Sequence, residues 1–216
     1  MKRAYKILVL CAIVFTLILA FSSCEHEHIP TAWVKENVIE ATCTTDGSYD
    51  TVMYCKDCDY EFLRQTQTIP MTEHSVKDGA CQTCGIKESS AGLKFSLNSD
   101  GKSYTVIDIG ECTDSEIVIG IYNGLYVTHI GDYAFEGCSN ITKITISRSV
   151  SSIGLNAFGM CQALVEVFFE NPSDWRYVSY FNPQLRDDFS STELSDTAVA
   201  ARYLVSDYNG CYWKKG

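Results

Sequence analysis

Eight side chains within the first 84 residues of this sequence have the types and spacing for metal or redox chemistry. They are Cys43, Cys55, Cys58, Cys81 and Cys84, with His26, His28 and His74. Cys55/Cys58 and Cys81/Cys84 are Cys-x-x-Cys pairs, and both sulfurs of such a turn can face one ion. Tetrahedral zinc needs four Cys or His ligands and uses such pairs in structural sites. The candidate ligands are Cys43, Cys55, Cys58, His74, Cys81 and Cys84, with His28 as an alternative. His28, Cys43, Cys55 and Cys58 would make a Cys3His site. His74, Cys81 and Cys84 look like a shortened echo of it, with His26 available to complete the set.

Disulfides are the competing chemistry, because they are the default outside the cell. With Cys11 and Cys24 set aside, nine cysteines remain of the eleven, and an odd number cannot all pair within one chain. A redox-active pair is the weakest reading, since no thioredoxin-like βαβ pattern surrounds either motif. The stretch is poor in apolar residues, so either staple would carry much of its folding. It also resembles a recurrent Cys/His segment of exported bacterial proteins, carried here by "HEHIPTAW", "EATCTTDG", "CKDC", "TEH" and "CQTCG". That resemblance implies a zinc or disulfide scaffold, zinc-ribbon-like and rich in β structure.

Other chemistry is missing. The chain contains no His-Glu-x-x-His, no Gly-x-Ser-x-Gly and no phosphate-binding Gly-rich loop. His129, the fourth histidine, reads as a surface turn residue. Paired acids such as Asp187-Asp188 read as solvated surface, and no enzymatic activity is expected. The formal net charge of −10 argues against nucleic-acid binding, which needs clustered Lys and Arg.

Targeting comes from the N-terminus. Met1-Lys2-Arg3 precedes an uncharged apolar run, Ile7–Phe21, then Ser22, Ser23 and Cys24. This resembles a bacterial lipoprotein signal, which implies removal of residues 1–23 and lipidation of Cys24. The expected location is the cell envelope or surface, lipid-anchored to the membrane. Ordinary secretion and a retained apolar anchor are the alternatives, and each also exports the chain.

A different texture begins at Leu93. "HIGDYAFEGC" (His129–Cys138) and "SIGLNAFGMC" (Ser152–Cys161) coincide at five positions with an offset of 23 residues. Alternating runs follow each one, "ITKITIS" and "LVEVFFE", while "IVI" at Ile117–Ile119 precedes both. In a strand, successive side chains point to opposite faces. Ile144, Ile146, Val167 and Phe169 therefore face one way, and Lys143, Thr145, Glu166 and Phe168 the other. A unit of this size cannot bury its own apolar side, but stacked units cover one another. Phe135 and Phe158 are the expected stacked wedges. Ala134 and Ala157 allow close packing, Gly131 and Gly154 allow a tight or left-handed turn, and Cys138 and Cys161 act as small buried hydrophobes.

From Leu93 to Trp175 these residues resemble the BspA-type leucine-rich repeats of bacterial surface proteins. The resemblance implies a right-handed solenoid with one short strand per turn, and a role in adhesion or ligand binding. Gly120 departs from it, standing where the family often has Pro. The expected fold is an α/β-type leucine-rich repeat solenoid, β-rich with short parallel strands and a C-terminal capping helix, preceded by the Cys-rich module. Ser195 or Asp196 would start that helix, with Ala198 to Val205 as its apolar face, and Cys211–Trp213 would add a last short strand.

The expected organisation is a signal peptide at 1–23, a Cys/His-rich module at 24–88, a flexible linker at 89–92, repeats at 93–175 and a cap at 176–216. The expected ligand-binding face is Val118, Lys143, Thr145, Glu166 and Phe168, meeting a protein or glycan at the cell surface. The alternative is a structural or metal-responsive envelope component in which the Cys/His module is the functional part.

Overall fold

The computed structural model describes residues 26–216. The apolar run Ile7–Phe21 and Cys24 lie outside these residues. Among the described residues, no helix is long and apolar enough to cross a membrane. The chain divides into two compact units between Met71 and Thr72. The division falls inside the stretch 24–88: Cys43, Cys55 and Cys58 lie in the first unit, and His74, Cys81 and Cys84 in the second.

The first unit is an antiparallel sheet of β1 (Val34–Ile39), β2 (Gly47–Tyr54) and β3 (Glu61–Ile69), in chain order. Among its described residues Val52 is the one fully buried aliphatic side chain, and almost all of β3 is exposed. Polar contacts are arranged around Arg64. The Arg64 guanidinium donates to Asp50 at 2.9 Å and to Glu61 at 2.7 Å, and lies 3.5 Å from Glu36. These bonds hold the Asp50 carboxyl below its ordinary range, with Asn37 the largest contributor, then Thr66 and Arg64. Burial returns about 25 cal/mol per Å² of apolar surface, whereas ordering the backbone costs about 1–2 kcal/mol per residue. So little covered apolar surface cannot offset that cost.

The second unit begins with a hairpin of β4 (Val76–Lys77) and β5 (Ala80–Cys81). Its two-residue turn, Asp78-Gly79, has φ of 55° and 75°. This is the turn that matches strand twist best. Next come β6 (Lys94–Leu97), β7 (Ser103–Asp108), β8 (Glu116–Ile119), β9 (Ile121–Tyr122) and β10 (Leu125–Ile130). They are followed by β11 (Lys143–Ile146), β12 (Ser152–Ile153) and β13 (Glu166–Phe169). β8, β11 and β13 form a parallel sheet with no slip: Lys143 lies opposite Glu116 and Glu166, and Thr145 opposite Val118 and Phe168. β7, β10 and β12 run parallel in a second sheet. That sheet continues through antiparallel β16 (Cys211–Lys215), β14 (Trp175–Ser179) and β15 (Arg186–Asp188).

The repeat is therefore a leucine-rich-repeat-like arrangement with its apolar side inward. Phe135 and Phe158 are fully buried and stacked, with centroids 5.2 Å apart and planes 5° from parallel. Ala134 and Ala157 are buried beside them. Between the coils, the Phe135 amide donates to the Ala157 carbonyl at 2.8 Å, and the Gly137 amide to Gly159 at 2.8 Å. Cys161 is buried and its thiol donates to the Phe135 carbonyl, while Cys138 is only half-buried.

Three expectations are corrected here. Gly131 and Gly154 do open tight turns, their carbonyls accepting from the Ala134 and Ala157 amides at 3.4 and 3.3 Å, but neither adopts left-handed backbone. A Cβ on Gly154 would instead collide with the Asp132 side chain and amide, so it is close approach between coils that requires the glycine. The left-handed positions fall two and six residues after each glycine, at Tyr133 and Gly137, then Asn156 and Met160. Second, Ser89–Gly92 is no free linker. The Ser89 and Ser90 hydroxyls accept from the Gly120 and Val118 amides at 2.9 and 3.0 Å. Third, the C-terminal helix is broken. Ser190 caps α1 (Ser191–Ser195) in a reciprocal pair with Glu193, and Asp196 caps α2 (Thr197–Arg202). A wider helical turn, Tyr203–Asp207, follows. Leu194, Ala200, Ala201 and Leu204 join the core beside Phe169, Trp175 and Trp213, and α2 packs on β13.

Candidate metal centre and repeat face

In the first unit the segment before β1 folds back onto the loop between β2 and β3. Pro30 bridges antiparallel to Cys55, and the Lys56 amide donates to the Ile29 carbonyl at 2.8 Å. This carries His26 and His28 to the Cys-x-x-Cys turn. Their ring nitrogens and the sulfurs of Cys55 and Cys58 all lie within 4.8 Å of one another. His26 Nε2 is 3.3 Å from Cys55 Sγ, and His28 Nδ1 is 3.5 Å from Cys58 Sγ. The Tyr60 ring stacks on His28 at 4.4 Å, and Phe62 meets His28 edge-on.

The Cys3His set of His28, Cys43, Cys55 and Cys58 is not what gathers here. His26 takes the fourth place, and Cys43, a buried residue of the loop before β2, is not among these donors. His26 is thereby also removed from the His74, Cys81 and Cys84 echo. Those three donors do converge within the second unit, across the β4–β5 hairpin, with His74 Nδ1 3.4 Å from Cys84 Sγ. His74 is buried, stands edge-on to Tyr126 at 4.3 Å, and its Nε2 has no hydrogen-bond partner.

Electrostatics separates these cysteines from the others. Burial alone would raise the Cys55 thiol. Donation from the Asp57 amide, the His26 and His28 rings and the Ile29 amide outweighs it, bringing the thiol down to about 5. The Cys84 amide is the largest influence on Cys81, and with His74 it brings that thiol down to about 6 against burial. Both sulfurs are therefore thiolates at neutral pH, the form that binds metal and attacks disulfides. Burial pushes Cys112, Cys138 and Cys211 up, and takes Cys161 to about 11. His129 is exposed on β10, bonded to Thr128 at 2.7 Å, and joins no donor group.

The second candidate site is the outward face of β8, β11 and β13. Lys143 sits between Glu116 and Glu166, with Nζ 3.9 and 3.8 Å from their carboxylates. The neighbouring row is Val118, Thr145 and Phe168. Phe168 is 48% exposed, whereas Phe169 beside it is buried. The parallel register thus brings all five expected face residues together as two adjacent rows, one charged and one apolar.

Residues 112–186 match the model of the BspA-type leucine-rich repeat region (6 copies). Among solved structures, the chain is similar to a leucine-rich repeat protein of T. pallidum, at 23% identity and a TM-score of 0.34, over 36% of each chain. It is similar to a leucine-rich repeat protein from Bacteroides capillosus at 30% identity and a TM-score of 0.33, over 39% of this chain and 64% of that one. It is also similar to a leucine-rich cell surface protein from Faecalibacterium prausnitzii at 27% identity and a TM-score of 0.31, over 37% of this chain and 22% of that one. The chain spans less than two thirds of the length of each. No curated protein matches.

Proposed function

We propose that this is an exported bacterial surface protein that binds a protein or glycan partner through the outward face of its parallel repeat strands. Its repeats form a short leucine-rich solenoid, and Cys24 carries the lipid that holds the protein at the membrane. The match of residues 112–186 to a BspA-type repeat region supports the class. One observation carries the choice of face: Phe168 is half-exposed at the end of a row that runs through Thr145 to Val118, on strands whose inward side chains are buried. A half-exposed aromatic on a rigid sheet loses little entropy on binding and is a frequent interface anchor. The flanking Glu116–Lys143–Glu166 row leaves net negative charge, which favours a partner with a basic rim.

The test is a screen of the chain against arrays of glycans and extracellular-matrix proteins, repeated with Phe168→Ala. The expected result is a binder whose signal falls at least tenfold in the variant while the melting temperature stays within a degree or two, consistent with removing a hot-spot side chain. Equal binding by both proteins rejects this face.

A second reading, favoured by the converging Cys and His donors, gives the N-terminal module a structural zinc role in the envelope. His26, His28, Cys43, Cys55, Cys58, His74, Cys81 and Cys84 suffice in number for two tetrahedral ions. Zinc-free protein with mass-shifted disulfides would end that reading.

A further inference from the structure

We infer that His26, His28, Cys55 and Cys58 form one closed four-coordinate site for zinc, and that this site rather than an apolar core holds the first unit together. The inference rests on the zinc reading above and assigns it a ligand set.

Three features carry it. The first is distance. Zn–S of about 2.3 Å and Zn–N of about 2.0 Å in a tetrahedron place sulfur and nitrogen about 3.5 Å apart. The two sulfur–nitrogen separations are 3.3 and 3.5 Å, and all four donor atoms lie within 4.8 Å of one another. A Cys55–Cys58 disulfide would use the sulfurs but leave the convergence of two imidazoles without a cause.

The second is donor chemistry. Two cysteine sulfurs with two imidazoles suit zinc over magnesium, calcium or manganese, which prefer oxygen ligands. The protein supplies all four ligands, so no position is left for water or substrate, which makes the role structural rather than catalytic.

The third is what surrounds the site. Tyr60 stacks on His28 and Phe62 closes it edge-on, shielding one ligand from solvent. Elsewhere among the described residues of this unit only Val52 is a fully buried aliphatic residue. A small sheet of this kind gains its folding free energy from the ion, as small metal-dependent domains do. The ion also fixes the chain from His26 to Pro30, whose pairing with Cys55 is a single bridge.

The experiment measures bound zinc per chain by elemental analysis, on the purified protein and on His26→Ala, His28→Ala, Cys55→Ser, Cys58→Ser and Cys112→Ser. Limited proteolysis is followed with and without a chelator. Each of the first four substitutions is expected to remove one equivalent of zinc relative to the parent, and Cys112→Ser none. Chelation is expected to open cleavage sites within residues 26–71. His26→Cys and His28→Cys keep a zinc donor at each place and are expected to hold the full amount of zinc, which separates loss of a ligand from loss of folding; loss of zinc from both of them as well overturns this ligand set. If the parent binds zinc but His26→Ala and His28→Ala retain the full amount, this ligand set is overturned and the zinc reading survives. If the parent carries a Cys55–Cys58 disulfide by mass, this ligand set is overturned; if it binds no zinc after refolding with it, the zinc reading falls as well.

Discussion

The two units solve the same problem with different materials. The repeat unit hides a continuous apolar column: Phe135 stacks on Phe158, with Ile117, Ile144 and Val167 behind the strands and Trp175 and Trp213 at the C-terminal side. The first unit spreads a comparable sheet into solvent and gathers its contacts around thiols, imidazoles and one partly exposed guanidinium. Cysteine shows the contrast within one residue type. In the repeats it is a small apolar filler whose thiol resists ionisation; at Cys55 neighbouring N–H groups make it a thiolate. A residue's chemistry here is set by what it is packed against.

The largest effect should come from breaking the repeat column. Phe158→Ala is expected to cost about 3–5 kcal/mol, since it empties the space beneath a stacked ring. Chemical denaturation followed by tryptophan fluorescence would read it, because Trp175 and Trp213 both lie in this core. A loss under 1 kcal/mol would mean the column is not what supports the unit.

Alkali sharpens the contrast at intermediate size. The Cys161 thiol ionises near 9 when exposed and near 11 in the fold. Between those values the unfolded chain releases the proton first. Stability contributed by burying the neutral thiol is therefore complete below pH 9 and lost as pH rises towards 11, on the order of 2 kcal/mol. Cys161→Ala should flatten that part of the stability–pH curve; an unchanged slope would assign it to other groups.

The smallest effect is a gain. Met160 is 71% exposed and holds a φ of 59°, in the place where Gly137 sits one repeat earlier at 73°. Left-handed backbone costs a non-glycine residue about 1 kcal/mol, partly offset by the extra freedom glycine has when unfolded. Met160→Gly should therefore raise stability by a few tenths of a kcal/mol, seen as a small rise in the denaturation midpoint.

How legible each unit was follows from the same contrast. The repeats could be read because a 23-residue recurrence maps one sequence position onto one spatial neighbour, so Phe135 and Phe158 had to meet. The pairing of donors could not be read that way. Cys-x-x-Cys spacing names two ligands and leaves the other two to long-range folding. The Pro30–Cys55 bridge brings His26 to the first pair, and no local pattern announces it. At Gly154 the tight turn was legible but the close approach of Asp132 was not, since recurrence is equally compatible with either. Ser89 and Ser90 looked like linker residues because small hydroxyls are as common in flexible chain as in backbone capping.

Those two serines have one more consequence. A parallel ladder of identical turns has no inherent length, and in principle each end invites another turn. At the N-terminal end the invitation is withdrawn: the amides of Val118 and Gly120 that a preceding turn would engage are already occupied by side-chain oxygens. A longer version of this protein would therefore have to gain its extra turns by duplication within the array, between β8 and the C-terminal aromatic cluster, and not by addition in front of it.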